Sequence, residues 1–574
     1  MNFFHIIYNN LFVLILILLI QNGCRSVMKA DLVITNAEIY TADKTIKNVE
    51  AVGCKDGKII FIGSNNEAKE FITKQTNVID AKGAFVTPGL IEGHGHFSGL
   101  GKSLIELNLI NTKSWEEIEN LIFEKVKNVK PGEWIVGRGW HQEKWDSVPI
   151  NHIHNYPFHK NLSAKTTDNP VLLIHASGHA LFANQKAMDL AGISKETEDP
   201  FGGEIVRNNA GEAIGIFEER AMSLIKYAHD DYKKRLKKST QDSIWLHSIT
   251  LAQQECLKNG ITSFQDAGST FNELSQYEKL ALSEKLDIRL WVMARESYEN
   301  MKNEVGKYKK IGIGNNFYTC NAIKSEVDGA LGAFGAWLLK PYDDKPGFSG
   351  QNTTDIYDVK KIADLAVQND MQFCVHAIGD RANRVVLDIY EGVMAQNSKI
   401  KDWRWRIEHA QHIDTMDIPR FAKNKIIASM QGIHCTSDAP FVVKRLGRER
   451  ARLGAYAWRS LLDAGVVIAN GTDVPVEDLN PFKSLYASVT RKNVTQDLTF
   501  FPEQKMTREE ALYSYTLGNA YAAFEDEIKG SLTVGKFADI VILDKNILSC
   551  PENEILQTKV LYTIVNGEVK YRQP

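Results

Sequence analysis

Val86-Thr87-Pro88-Gly89-Leu90-Ile91-Glu92-Gly93-His94-Gly95-His96 is the stretch from which the rest of this chain is read. Its apolar start forms a strand, and strand side chains alternate, so His94 and His96 share one face. Two imidazoles converging on one point make a chelate for a borderline divalent metal such as zinc. Alone, such a pair is weak evidence, because surface histidines pair by chance. Further candidate ligands follow at Lys324, His376, His409 and Asp473, each at or just past the end of an apolar, strand-like run.

Those runs lie at residues 85–92, 261–265, 288–294, 320–327, 371–376, 404–409, 426–431 and 466–472. Helix-like stretches separate several of them, for example Val359–Gln368 and Ala382–Ala395. Alternating β and α segments with eight strands predict an α/β fold, a distorted TIM (β/α)8 barrel. Chemistry in such a barrel gathers at the C-terminal ends of the strands. The candidate ligands fall there, at the ends of runs one, four, five, six and eight. A single strand histidine is more often a core residue, a single Asp473 could cap a helix, and a single Lys324 could snorkel. Chance does not set four such residues on one rim with an HxH pair.

The residue types suit one chemistry. Neutral imidazoles bind a divalent metal without annulling its charge, which lets the metal lower the pKa of water to about 7. An anionic Asp473 orients that water and takes its proton. An ammonium is no ligand, but a buried lysine near cations loses its proton more easily. The free amine of Lys324 can then add CO2, and the carbamate can bridge two metals about 3.5–4 Å apart.

Residues 25–86 and 524–574 read as short strands and turns, with Asp56-Gly57 and Asn566-Gly567 as hairpin turns. Each end alone is too small to be stable. One β-sandwich built from both termini is expected, with the barrel over 87–523. Too many residues separate the first and second runs for one helix, so an inserted α+β subdomain is expected at about 103–235, covering the site or shaping its pocket.

The 574 residues carry a formal net charge of −3, which leaves no basic footprint and excludes nucleic acid as a partner. The cysteines at 24, 54, 256, 320, 374, 435 and 550 contain no CxxC pair, which argues against a zinc ribbon and a disulfide scaffold. The apolar run Leu11–Ile20 is too short to span a bilayer but fits a signal-peptide core. It ends in Gln21-Asn22-Gly23-Cys24, similar to a bacterial lipoprotein signal. Residues 1–24 are therefore expected to direct export, with Cys24 lipidated and the chain anchored to a membrane facing the periplasm or the outside. An uncleaved anchor and an ordinary secretory signal are the alternatives.

Six segments carry a family resemblance: Thr87–His96, Ser177-Gly-His-Ala180, Asp328-Gly-Ala-Leu-Gly332, His376–Asn383, Arg406–Gln411 and Gly530–Asp544. The chain resembles the amidohydrolase superfamily, and within it the YtcJ-like branch that includes N-substituted formamide deformylases. The resemblance implies that His94, His96, His376 and His409 are metal ligands, that Lys324 is an N6-carboxylysine bridge, and that Asp473 is ligand and general base. It implies one or two divalent metals per chain, zinc expected. The implied reaction is hydrolysis of a non-peptide C–N bond in a small amide or formamide, by attack of a metal-bound hydroxide. Trp140 and His179 are expected to line the substrate pocket, or in the case of Trp140 to be packing. Asp328 and Arg381 are expected to touch substrate or brace the strand-end loops. A mononuclear deaminase or cyclic-amide hydrolase is the alternative enzyme. An inactive exported ligand-binding lipoprotein is the alternative outside catalysis. A homodimer is one expected assembly.

Overall fold

The computed structural model describes residues 28–574 apart from 111, 143–144, 176–179, 201–202, 333 and 494–496. Cys24 and the signal-like run lie outside the described residues. Two compact units emerge. One comprises the chain up to Gly95, Cys256–Asp473 and Glu477–Pro574; the other comprises His96–Glu255 with Val474–Val476.

The first unit holds the barrel. Its strands are Leu90–Gly95, Ile261–Ser269, Arg289–Ala294, Tyr318–Glu326, Gln372–Ala377, Arg406–His409, Ile427–Gln431 and Ile468–Gly471. They pair in chain order, each parallel to the next. Each of the eight predicted runs overlaps a barrel strand, the first only from Leu90 onward, because Phe85–Pro88 is a separate strand of another sheet. Trp291, Met293, Ala322 and Cys374 pack together with Ala523 as one buried cluster. Because strand side chains alternate, Lys324 and Glu326 follow Ala322 onto the same face.

Among the described residues no ladder joins the eighth strand to the first. Side chains and backbone bonds just past the strand ends close the seam instead. The Asp473 N–H donates to the His94 carbonyl at 2.7 Å. Asn519 donates its Nδ2 to the carbonyls of Ile91 (2.7 Å) and Asn470 (2.8 Å) and accepts the Asn470 N–H at 3.0 Å. Such an approach leaves no room for side chains. A Cβ on Gly93 would stand 2.5 Å from the Asn470 carbonyl oxygen, and one on Gly471 would stand 2.5 Å from the His94 nitrogen. Gly93→Ala is expected to lower unfolding stability by about 3 kcal/mol, the upper range for overpacking. Urea unfolding checks this, and an unchanged midpoint and slope would contradict the tight seam.

The same unit carries the β-sandwich. One sheet runs in the order Lys58–Gly63, Ala51–Lys55, Leu32–Thr35, Asn77–Asp80. The other runs Glu38–Ile39, Phe85–Pro88, Ile540–Leu543, Val560–Val565, Glu568–Arg572, so it mixes both termini. Leu32, Ile34, Val52, Val86, Ile540 and Ile564 bury their side chains in one shared core. This is the expected two-ended sandwich.

The second unit is the inserted α+β body. Its six-stranded sheet runs Gly203–Arg207, Ala213–Glu219, Ala180–Ala183, Val171–His175, Ile135–Trp140, Leu107–Asn108. Helix Trp115–Val126 covers it with an amphipathic face, and its Trp115, Ile118 and Ile122 join Trp140 and Phe182 in the core. No helix among the described residues is long and apolar enough to cross a membrane.

Candidate metal centre

Five strand ends of the barrel deliver titratable groups to one place. His94 is the penultimate residue of the first strand, His376 lies in the fifth, and His409 ends the sixth. His434 lies in the first turn of helix Gly432–Leu446, directly after the seventh strand, and Asp473 follows the eighth by two residues. The His409 ring centroid is 4.7 Å from that of His94, 4.4 Å from His376 and 6.0 Å from His434. Asp473 places Oδ1 3.6 Å from His94 Nε2 and Oδ2 3.9 Å from His434 Nε2. One donor atom each from His409, His434 and Asp473 lie within 4.8 Å of one another.

The backbone is bent to achieve this. His409 has φ +71° and Asp473 has φ +60°, a left-handed conformation that non-glycine residues seldom adopt. Such conformations persist where the surrounding structure forces them, and they gather at functional sites.

Buried polar groups set the ring orientations. His409 Nδ1 sits 2.8 Å from the Gln431 side-chain oxygen, whose own amide nitrogen donates to the Ser429 carbonyl. A carboxamide oxygen only accepts, so the proton is on Nδ1 and the lone pair on Nε2. His94 Nδ1 is held in the same way by the Glu408 carboxylate. Glu408 receives Arg406 Nε at 2.7 Å and Nη2 at 3.0 Å. Arg406 in turn donates to Gln265 Oε1, the Gly93 carbonyl and Ser429 Oγ. Histidine ligands commonly carry such a carboxylate on the far nitrogen, which fixes the tautomer and raises basicity.

Burial dominates the electrostatics. It holds the His94 and His409 rings below the ordinary imidazole range and His376 down at about 3, with the Lys324 cation adding to the shift at His376. The rings are therefore neutral at physiological pH. Burial alone would raise Glu408, but Arg406, His94 and Lys324 hold it below the usual carboxylate range. Glu92 is pushed up to about 8 by burial, although it accepts the N–H and hydroxyl of Thr472. Lys324 is buried, is lowered mainly by desolvation, and donates Nζ to the Ala267 carbonyl at 3.3 Å. The Nε2 atoms of His376 and His434 are buried without a hydrogen-bond partner among the described residues. Buried imidazole nitrogens left in that state, beside a carboxylate, fit a divalent cation.

His96 opens the second unit, where it caps helix Phe97–Ile105 and donates its backbone N–H to the Val474 carbonyl. The expected substrate contacts fare differently. Trp140 is fully buried in the core of the second unit, with Nε1 donating to the Leu173 carbonyl at 2.9 Å, so it is packing rather than pocket wall. Asp328 is buried and accepts the backbone N–H groups of Trp337, Ile378 and Gly379 at 2.8–2.9 Å, which makes it a brace between strand-end loops. Arg381 donates to the Leu339 carbonyl and lies over the Trp337 ring in the same loop region. His179 lies outside the described residues. Sequence reasoning missed His434, Glu408 and Gln431. The signal for His434 was a histidine three residues past the end of the seventh run, the position class that held the other candidates.

Known proteins share this architecture. The amidohydrolase family profile matches residues 77–571. The protein LONG AFTER FAR-RED 3 of Arabidopsis thaliana is 32% identical, covering 94% of this chain and 92% of that protein. The N-substituted formamide deformylase of Arthrobacter pascens is 27% identical, covering 95% and 98% respectively. The crystal structure of an uncharacterized metal-dependent hydrolase from Pyrococcus horikoshii is 26% identical with a TM-score of 0.74, covering 91% of this chain and 99% of that one. With a family match over most of its length and neutral histidines gathered at the barrel mouth, the chain belongs to the amidohydrolase family and is an enzyme of that metal-dependent class.

Proposed function

We propose that the chain hydrolyses a non-peptide C–N bond of the amide or formamide kind in a small molecule. The observation that carries this is the cluster of buried neutral histidines with Asp473 at the strand ends. The formamide deformylase among its relatives supports the choice of bond. His94, His96, His376, His409 and Asp473 would hold a divalent metal. Nitrogen-rich donors of this type suit zinc. N6-carboxylation of Lys324, carried by the family resemblance, would add a second position. The bound metal supplies Lewis acidity, lowering the pKa of water and polarising a carbonyl oxygen.

The chain's own residues do the rest. Asp473 takes the proton of the attacking water at a carboxylate oxygen and returns it to the leaving nitrogen. Its charge is fixed in place by the backbone bond to His94 and the left-handed bend. Glu408 and Gln431 keep the Nε2 lone pairs of His94 and His409 turned inward. The test is amine release from a panel of N-formyl and N-acyl amines before chelation, after it, and after zinc is restored. Release lost on chelation and recovered with zinc is the expected result. Ammonia from ring amines with no amine release from the panel would support a deaminase instead.

Export and lipidation at Cys24 are proposed on the sequence alone. Cys24→Ser in the full chain is expected to move the protein from the membrane to the soluble fraction. Continued membrane fractionation would point to an uncleaved anchor.

A further inference from the structure

A cleft of about 560 Å³ opens at the C-terminal ends of the second, third and fourth barrel strands, with Gly268, Arg295, Glu296, Lys324, Glu326 and Asp358 among its lining. Lys324 ties it to the candidate metal centre. We propose that Arg295 binds a carboxylate on the substrate there, so that the molecule hydrolysed is an N-acyl or N-formyl amine bearing a carboxylate near its scissile bond. This rests on the hydrolase reading above.

Arg295 is placed, not loose. It directly follows the third strand, and its backbone N–H donates to the Ser269 carbonyl at 2.9 Å. Its side chain lies across Gly268, where an added Cβ would come within 2.8 Å of it and the backbone φ is +133°. Nη2 pairs with Glu326, two residues beyond Lys324 on the same strand face. The two side chains are 42% and 39% exposed, so the pair is solvated and readily exchanged. Nε and Nη1 of Arg295 donate to no group among the described residues, and the residue as a whole is exposed.

The acids around it are already engaged. Glu296 accepts the Phe271 N–H at 3.3 Å and Asn300 Nδ2 at 3.2 Å. Asp358 is paired with Lys361 at 2.6 Å. Both forked faces of the guanidinium include Nη2, so a substrate carboxylate seats through two parallel hydrogen bonds by taking Nη2 from Glu326. Glu326 is the internal carboxylate that a substrate carboxylate displaces. With that end fixed at Arg295, the amide end extends past Lys324 toward the buried histidines.

The test is calorimetric titration of the zinc-loaded Asp473→Asn chain, chosen so that ligand is bound and not consumed. The probes are N-formylphenylalanine and N-formylphenethylamine, which differ only in the carboxylate. The carboxylate ligand is expected to bind at least about tenfold more tightly, and Arg295→Gln to remove that preference. Glu326→Gln is expected to tighten binding of the carboxylate ligand several-fold, because the internal competitor is gone. A merely structural ion pair would weaken binding in both variants alike. Equal binding of the two ligands, or weakening in both variants, overturns the proposal. Amine release from N-formylphenethylamine by the Asp473 chain, with equal binding of both probes, sinks this inference and leaves the hydrolase reading standing. Carboxylate-dependent binding with no amine release from any panel member does the reverse.

Discussion

Asp473→Asn is expected to lower turnover by about three orders of magnitude or more, the combined loss of a general base and an anionic ligand. The substitution is well suited to isolating chemistry from folding. Asparagine keeps the size of the side chain, and among non-glycine residues it tolerates the left-handed region best. The φ of +60° and the backbone N–H bond to the His94 carbonyl therefore survive. What disappears is the negative charge 3.6 Å from His94 Nε2 and 3.9 Å from His434 Nε2. Steady-state rates on an N-formyl amine, with circular dichroism as the check on folding, measure the effect. A variant retaining more than a tenth of the wild-type rate removes Asp473 from proton transfer.

Arg406→Leu is expected to destabilise the fold by about 3–5 kcal/mol, because it strips the counter-charge from a carboxylate with no exposure to water. Arg406 and Glu408 are both fully buried. The lost guanidinium also serves the Gly93 carbonyl, Gln265 and Ser429, which join the first, second and seventh strands. Removing both charges is predicted to be milder. Arg406→Leu with Glu408→Leu should recover part of the stability, since a buried pair replaced whole by apolar groups is often near neutral. The double variant should still bind metal about 10–100-fold more weakly, because His94 Nδ1 loses the carboxylate that orients it. Denaturant unfolding and metal titration separate the two effects. Equal destabilisation in single and double variants would show that packing, not charge, is the reason for the pair.

Much of this was legible in the chain because barrel strands are short apolar runs with a fixed habit of carrying chemistry at their ends. The HxH pair, His376, His409 and Asp473 stand out as candidates for that reason, and the sandwich was expected because its two halves could not stand alone. His434 was harder to see because it lies three residues past the seventh run, in the first turn of a helix and not at the strand end itself. Glu408 and Arg406 lie inside a strand and alternate with Ile407, so local sequence reads them as a solvated face; only closure of the barrel turns that face inward. Asn519 was illegible for a related reason, since it reaches Ile91 across 428 positions. Trp140 allowed both a pocket wall and packing, and the core of the inserted body decides for packing.

The most direct test of the metal centre is elemental analysis of protein expressed from residue 25 and purified without chelator. About one to two divalent metals per chain are expected, falling toward zero in His94→Ala and His409→Ala. Metal near zero in the wild-type chain, not raised by adding zinc, would contradict the hydrolase account.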